Sequence, residues 1–134
     1  MSKWTISDER AFIENLLCQR FNFFLIFFSI ISAGAIASFA YSIYVSIITL
    51  SIGNIICWLL RSVLIRSQEK LDIILDKIIP SEYPEHPAFK IDQYAQKGKS
   101  KRRIIGETIP IICCWMLVLS LFGEVLVVVI DFIK

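Results

Sequence analysis

The longest apolar stretch of this chain, Phe21 to Leu60, runs for forty residues without Asp, Glu, Lys, Arg or His. As one helix rising ~1.5 Å per residue it would reach ~60 Å. That is twice the ~30 Å hydrocarbon thickness of a bilayer, so the stretch predicts two spans rather than one. Its middle, Ser38-Phe39-Ala40-Tyr41-Ser42, has small and polar residues and predicts a tight hairpin. The first span is placed at residues 21–38 and the second at 43–60. A third apolar run follows Thr108, with Pro110 tolerated in its first turn, and ends near Ile130. Backbone in lipid must satisfy its own hydrogen bonds, so all three runs are read as α-helices. The expected class is an all-α membrane protein with three transmembrane helices, a tight hairpin plus a third span.

Amphipathic stretches flank these runs. In residues 1–20, Phe12, Ile13, Leu16, Leu17 and Phe21 recur at three- and four-residue spacing, which predicts a lead-in helix. Ser7 is the expected N-cap, with Asp8 and Glu9 in the first turn, where the helix dipole favours acids. After Arg61 the second span is expected to continue as a cytoplasmic amphipathic helix to Ile79, ended by Pro80. Leu64, Leu71, Leu75 and Ile78 form its apolar row. That row must be covered by the lead-in helix, the membrane surface or the same helix of other copies. Ser81 to Phe89, with Pro84 and Pro87, reads as an extended connector. Residues 61–107 thus form one cytoplasmic segment, and 108–134 the third span with a short outer tail. Ala35-Ile36-Ala37 has the look of a signal-peptidase site, but a twenty-residue leader with three acids favours a retained span.

Composition agrees with a membrane protein: 56% hydrophobic, 19% charged, mean hydropathy +0.66. Charge then sets orientation. Residues 61–107 hold ten Lys and Arg, the first twenty residues hold three, and the hairpin holds none. By the positive-inside rule the N-terminus and 61–107 are cytoplasmic, and the hairpin and C-terminus face outward. Tyr41 and Tyr44 fit an outer aromatic belt and Trp58 an inner one, while Phe21, Phe23, Phe24, Phe27 and Phe28 read as lipid contacts.

Candidate chemistry is sparse. The four cysteines form no C-x-x-C and the one histidine, His86, has no ligating neighbour, so no metal or cofactor is expected. No nucleophile–base or carboxylate pair is visible, and an enzyme is not expected. Gly98-Lys99-Ser100 lacks the upstream glycine of a phosphate loop, Gln93 standing there instead. The basic patch Lys97, Lys99, Lys101, Arg102 and Arg103 reads as an anchor on anionic lipid headgroups; a nucleotide or nucleic-acid ligand is the alternative. Small residues at three- and four-residue spacing line both hairpin spans: Ser29, Ala33 and Ala37; Gly34, Ser38 and Ser42; Ser46, Thr49, Gly53 and Cys57. Such rows let helices approach closely, within the hairpin or between copies. Glu124 is the one carboxylate inside the third span. It lies ~22 Å from that span's cytoplasmic end, at the expected depth of Ser38, Ser46 and Tyr44. Facing the axis of an oligomer, it would contribute to a ring of carboxylates. With the span starting at Ile104 instead, it would mark the outer interface.

The string Arg20-Phe21-Asn22-Phe23-Phe24-Leu25-Ile26-Phe27-Phe28, followed by Ala33-Gly34-Ala35, resembles small membrane proteins that accompany antiphage retrons and CRISPR ancillary genes. Over roughly residues 8–79 the lead-in helix, close hairpin and cytoplasmic helix are similar to the two-span SLATT effectors of bacterial conflict systems, from which the third span departs. The resemblance implies a homo-oligomer in the bacterial inner membrane that permeabilises or depolarises it when a cytoplasmic sensor or activating protein responds to infection. A phage holin and a non-conducting anchor or regulatory subunit of a larger complex are the other classes the sequence leaves open. The charge before the third span, with only a short tail after it, speaks against a holin.

The orientation has a direct check. Alkaline phosphatase fused after Lys134 is expected to be active and a fusion near Lys97 inactive; the reverse pattern would refute the charge argument.

Overall fold

The computed structural model describes residues 5–78 and 103–134, and within them every element is helical. Helix α1 spans Ile6–Phe39, α2 spans Ile43–Ile73, and α3 spans Ile109–Ile133. One π-helical segment, Ile74–Ile78, prolongs α2, and another, Ile104–Thr108, leads into α3. Three helices are long and apolar enough to cross a bilayer, so the chain is a membrane-embedded protein. The expected helix end at Pro80, the connector 81–89, and Lys97, Lys99, Lys101 and Arg102 lie outside the described residues. Arg103 is exposed.

The cap of α1 differs from the sequence expectation. Thr5, not Ser7, is the N-cap, because a capping box forms between Thr5 and Asp8. The Asp8 N–H donates to Thr5 Oγ1 at 3.3 Å and the Thr5 N–H donates to Asp8 Oδ2 at 2.9 Å. The Thr5 hydroxyl, at 2.6 Å, and then the Thr5 backbone N–H hold the Asp8 carboxyl below its usual pKa. From there α1 runs without a break for 34 residues, so lead-in helix and first span are one rod. The hairpin is as short as expected: Ala40–Ser42 reverse the chain, with the N–H groups of Tyr41 and Ser42 both donating to the Ser38 carbonyl at 3.0 and 2.9 Å.

Helix α2 is the middle of a row of three. It packs along the length of α1 on one side and against α3 on another, while α1 and α3 hardly meet. Gly53 permits the close approach to α1: a Cβ there would lie 2.3 Å from Ile31 Cγ2. Gly34 is less crowded, its would-be Cβ 3.9 Å from the Thr49 methyl. The row Ser29, Ala33 and Ala37 was a candidate for this packing, but the structure leaves all three exposed. Gly53 and Gly34 with Thr49 make the contact instead. Phe24 also corrects the sequence reading. It is fully buried, and Phe21, Phe27 and Phe28 pack against the same core, leaving Phe23 as the exposed member of the group.

Beyond Arg61, Leu64, Leu71, Ile74 and Leu75 join Ile13 and Leu17 of α1 in one core, so the lead-in helix covers the amphipathic extension. Ser67 and Gln68, both buried, fill the gap between Leu64 and Leu71. Arg20 Nη1 donates to Ser67 Oγ, and Gln68 Nε2 donates to Asp72 Oδ1 at 3.1 Å. Gly106 lies against Gln68, where a Cβ would fall 2.6 Å from Gln68 Oε1. The π segment around Gly106 explains why helix begins five residues before Ile109. A proline ring crowds the carbonyl four residues back, which for Pro110 is Gly106. The wider π turn, in which the Ile109 N–H bonds the Ile104 carbonyl, relieves that crowding. Cys57, Cys113 and Cys114 are buried together in the α2–α3 seam as free thiols, and Cys18 is exposed.

Two glycines give opposite expectations. Gly53→Ala drives a methyl into Ile31 and is expected to destabilise the hairpin by about 1–3 kcal/mol. Gly34→Ala meets ordinary contact and gains up to about 1 kcal/mol of helix propensity. Unfolding in mixed micelles followed by circular dichroism checks both; equal effects would contradict the packing.

Candidate intramembrane carboxylate site

Because α1 and α3 both lean on α2 but not on each other, a cleft of about 460 Å³ opens between them. Phe28, Ala35, Ile36 and Phe39 of α1 form one wall, and Met116, Leu117 and Ser120 of α3 form the other. Leu50 lines it from α2, and Glu124 is its only charged side chain. Along α3, Glu124 is ~10 Å from Asp131 and ~26 Å from Glu107, counted at ~1.5 Å per residue. It therefore lies nearer the Asp131 end of the span than the Glu107 end, short of either charge.

Ser46 meets this carboxylate. It is fully buried one turn into α2, and its Oγ lies 2.7 Å from Glu124 Oε1 and 3.1 Å from the Ala35 carbonyl oxygen. Most hydroxyls in the spans hide differently. Those of Ser29, Thr49, Ser51, Ser62 and Ser120 each donate to the carbonyl four residues back on their own helix. Ser46 instead joins all three helices. Its hydroxyl has one proton for two acceptors. With Glu124 ionised, the proton goes to Oε1. With Glu124 protonated, the carboxyl donates to Ser46 Oγ and the hydroxyl donates to the Ala35 carbonyl. Both states satisfy Oε1 without moving a heavy atom. Glu124 Oε2 is buried with no hydrogen-bond partner among the described residues.

Of the residues expected at this depth, the structure brings only Ser46 to Glu124. Tyr44 is 66% exposed and turned away, and Ser38 uses its backbone carbonyl to close the hairpin while its side chain makes no bond to Glu124. Both are corrections to the expected cluster: Tyr44 precedes Ser46 by two residues and so leaves its helix face, and Ser38 precedes it by eight and lies on α1. Among the described residues no group of three His, Cys, Asp or Glu side chains could hold a metal ion.

Sequence reasoning missed one further polar group, Asn54. It is 8% exposed, and its Oδ1 is buried without a partner. The signal was available, for Asn54 is the only amide between residues 43 and 60. It lines a second, shallower groove with Ser51, Trp58, Ser62 and Leu121. At the Trp58 end of this groove Arg61 lies over the Trp58 ring at 5.1 Å.

No protein-family model, curated protein or solved structure matches this chain.

The Ser46–Glu124 bond is open to a double-mutant cycle. Ser46→Ala is expected to cost about 0.5–2 kcal/mol in a wild-type background, the range for interhelical hydrogen bonds in membranes. In a Glu124→Leu background it is expected to cost much less. Equal costs, measured by reversible unfolding in bicelles, would show that the bond is absent.

Proposed function

We propose that this protein is an oligomeric effector that depolarises the bacterial inner membrane, with its N-terminus in the cytoplasm and its C-terminus outside. The single observation behind this reading is the carboxylate of Glu124, placed inside a span, bonded on one oxygen to Ser46 and bare on the other. An ionisable side chain within a span costs about 3 kcal/mol or more, so its presence marks a path, a partner or a proton relay. The Ser46 hydroxyl anchors one carboxyl oxygen and leaves the other without a partner among the described residues. A row of three helices encloses no aqueous path, so conduction requires several copies. The likeness of residues 8–79 to antiphage membrane effectors supports a role in abortive defence, triggered through the cytoplasmic segment by a sensor or activating protein. Membrane lipids are the constant partner of the apolar helix faces.

Depolarisation tests this. On induction in a bacterial host, together with its activating partner where one is required, wild type is expected to collapse the potential reported by a voltage-sensitive dye. Glu124→Gln and Glu124→Ala, at matched membrane levels, are expected to slow it at least several-fold. Mutants as fast as wild type would remove Glu124 from the path, and a wild type that leaves the potential intact would favour a non-conducting anchor or regulatory subunit.

A further inference from the structure

A groove of about 290 Å³ lies between α1 and α2 and shares no residue with the Glu124 cleft or the Asn54 groove. Leu16, Gln19, Arg20 and Phe23 line it from α1, and Leu60 and Val63 from α2. Helix rise sets its depth. Arg20 is twenty residues from Ala40, where the hairpin turns, or ~30 Å along α1. That matches the ~30 Å hydrocarbon thickness, so Arg20 stands at one headgroup boundary when the turn stands at the other.

The guanidinium is held in place there. Arg20 Nη1 donates to Ser67 Oγ, and Ser67, itself buried, donates to the Val63 carbonyl at 3.1 Å. Among the described residues Ser67 is its only hydrogen-bond partner, so most N–H groups of the planar fork remain for an anion. Gln19, exposed at the same rim, adds amide donors. Away from this charge the groove is apolar. Val63 and Leu60 stand four and seven residues nearer the hairpin turn than Ser67, so its apolar wall reaches ~10 Å into the hydrocarbon layer. Phe23, 59% exposed, forms its lip.

A cationic fork at headgroup depth, above an apolar trough, matches an amphiphile with an anionic head and an acyl tail. Lipid is also what the bilayer supplies to such a trough, since no water reaches it. The ammonium of a zwitterionic headgroup is repelled by Arg20, and a headgroup of net negative charge has no such cost.

We propose that this groove binds one anionic phospholipid, with its phosphate on the Arg20 guanidinium and one acyl chain along Phe23, Leu60 and Val63. The site is built from two helices of a single chain and is independent of the conducting role. Arg61 provides the internal comparison. It is nineteen residues from Ser42, or ~28 Å, and so reaches the same layer. Its guanidinium covers Trp58 instead, and it does not line this groove.

Native mass spectrometry tests the site on the full chain released from detergent micelles, titrated with phosphatidylglycerol or with phosphatidylcholine of the same chains. Wild type is expected to hold phosphatidylglycerol about fivefold or more tighter; equal affinity for the two lipids would overturn the proposal without recourse to any variant. Arg20→Gln, which keeps an amide N–H for Ser67, is expected to weaken phosphatidylglycerol binding by about five- to tenfold, and Arg61→Gln by less than about twofold. Equal losses would mean a diffuse effect of charge and would overturn the site. Val63→Trp fills the trough and leaves the charge in place. It is expected to weaken binding as much as Arg20→Gln does, and unchanged binding would show that no chain is seated there. Glycerol phosphate, a headgroup without tails, is expected not to compete; displacement of the lipid by it at equal concentration would make this a free-phosphate site and refute the lipid.

Discussion

A hydrocarbon solvent offers no hydrogen bonds, and many of the hydroxyls on the described helices are placed by that fact. Among the described residues six hydroxyls fold back onto carbonyls of their own helices. Ser46 is spent across helices, linking the Ala35 carbonyl of α1 and Glu124 of α3 to α2. The backbone does the same on a larger scale: the rods run unbroken, the reversal takes three residues, and the π turn before Pro110 adjusts the ladder without opening it.

Since water supplies no drive to bring apolar helices together, contact depends on small residues and shape. Gly53 lets α2 settle onto Ile31, Gly106 lets the start of α3 close on Gln68, and the three thiols fill the α2–α3 seam. These contacts all involve α2 and leave α1 and α3 apart. The cleft at Glu124 follows from that arrangement, with no special local structure required. Close packing on α2 therefore makes room for the one carboxylate in the span.

The three spans, the hairpin and the depth match of Glu124 with Ser46 were legible because each depends on one-dimensional quantities: run length, charge and rise per residue. Facing was much less legible. In a uniformly apolar helix, periodicity does not separate lipid from protein, so Phe24 read as lipid contact and proved to be core, while Ser29, Ala33 and Ala37 take no part in the hairpin packing and are exposed in the protomer. Tyr44 failed for the same reason, being at the right depth on the wrong face. Ser67 and Gln68, in the seven-residue gap between Leu64 and Leu71, carried no signal in the apolar pattern, yet both are buried. Asn54 needed only to be counted as the lone amide of its span.

The central claim is that a carboxyl inside the bilayer is held by a hydroxyl from another span. Solid-state NMR on protein labelled at Glu and Ser in lipid bilayers measures this directly. A through-space cross-peak between the Glu124 side-chain carboxyl carbon and Ser46 Cβ is the result this account requires. A Glu124 carboxyl that shows no contact with Ser46 and exchanges with bulk water would contradict it.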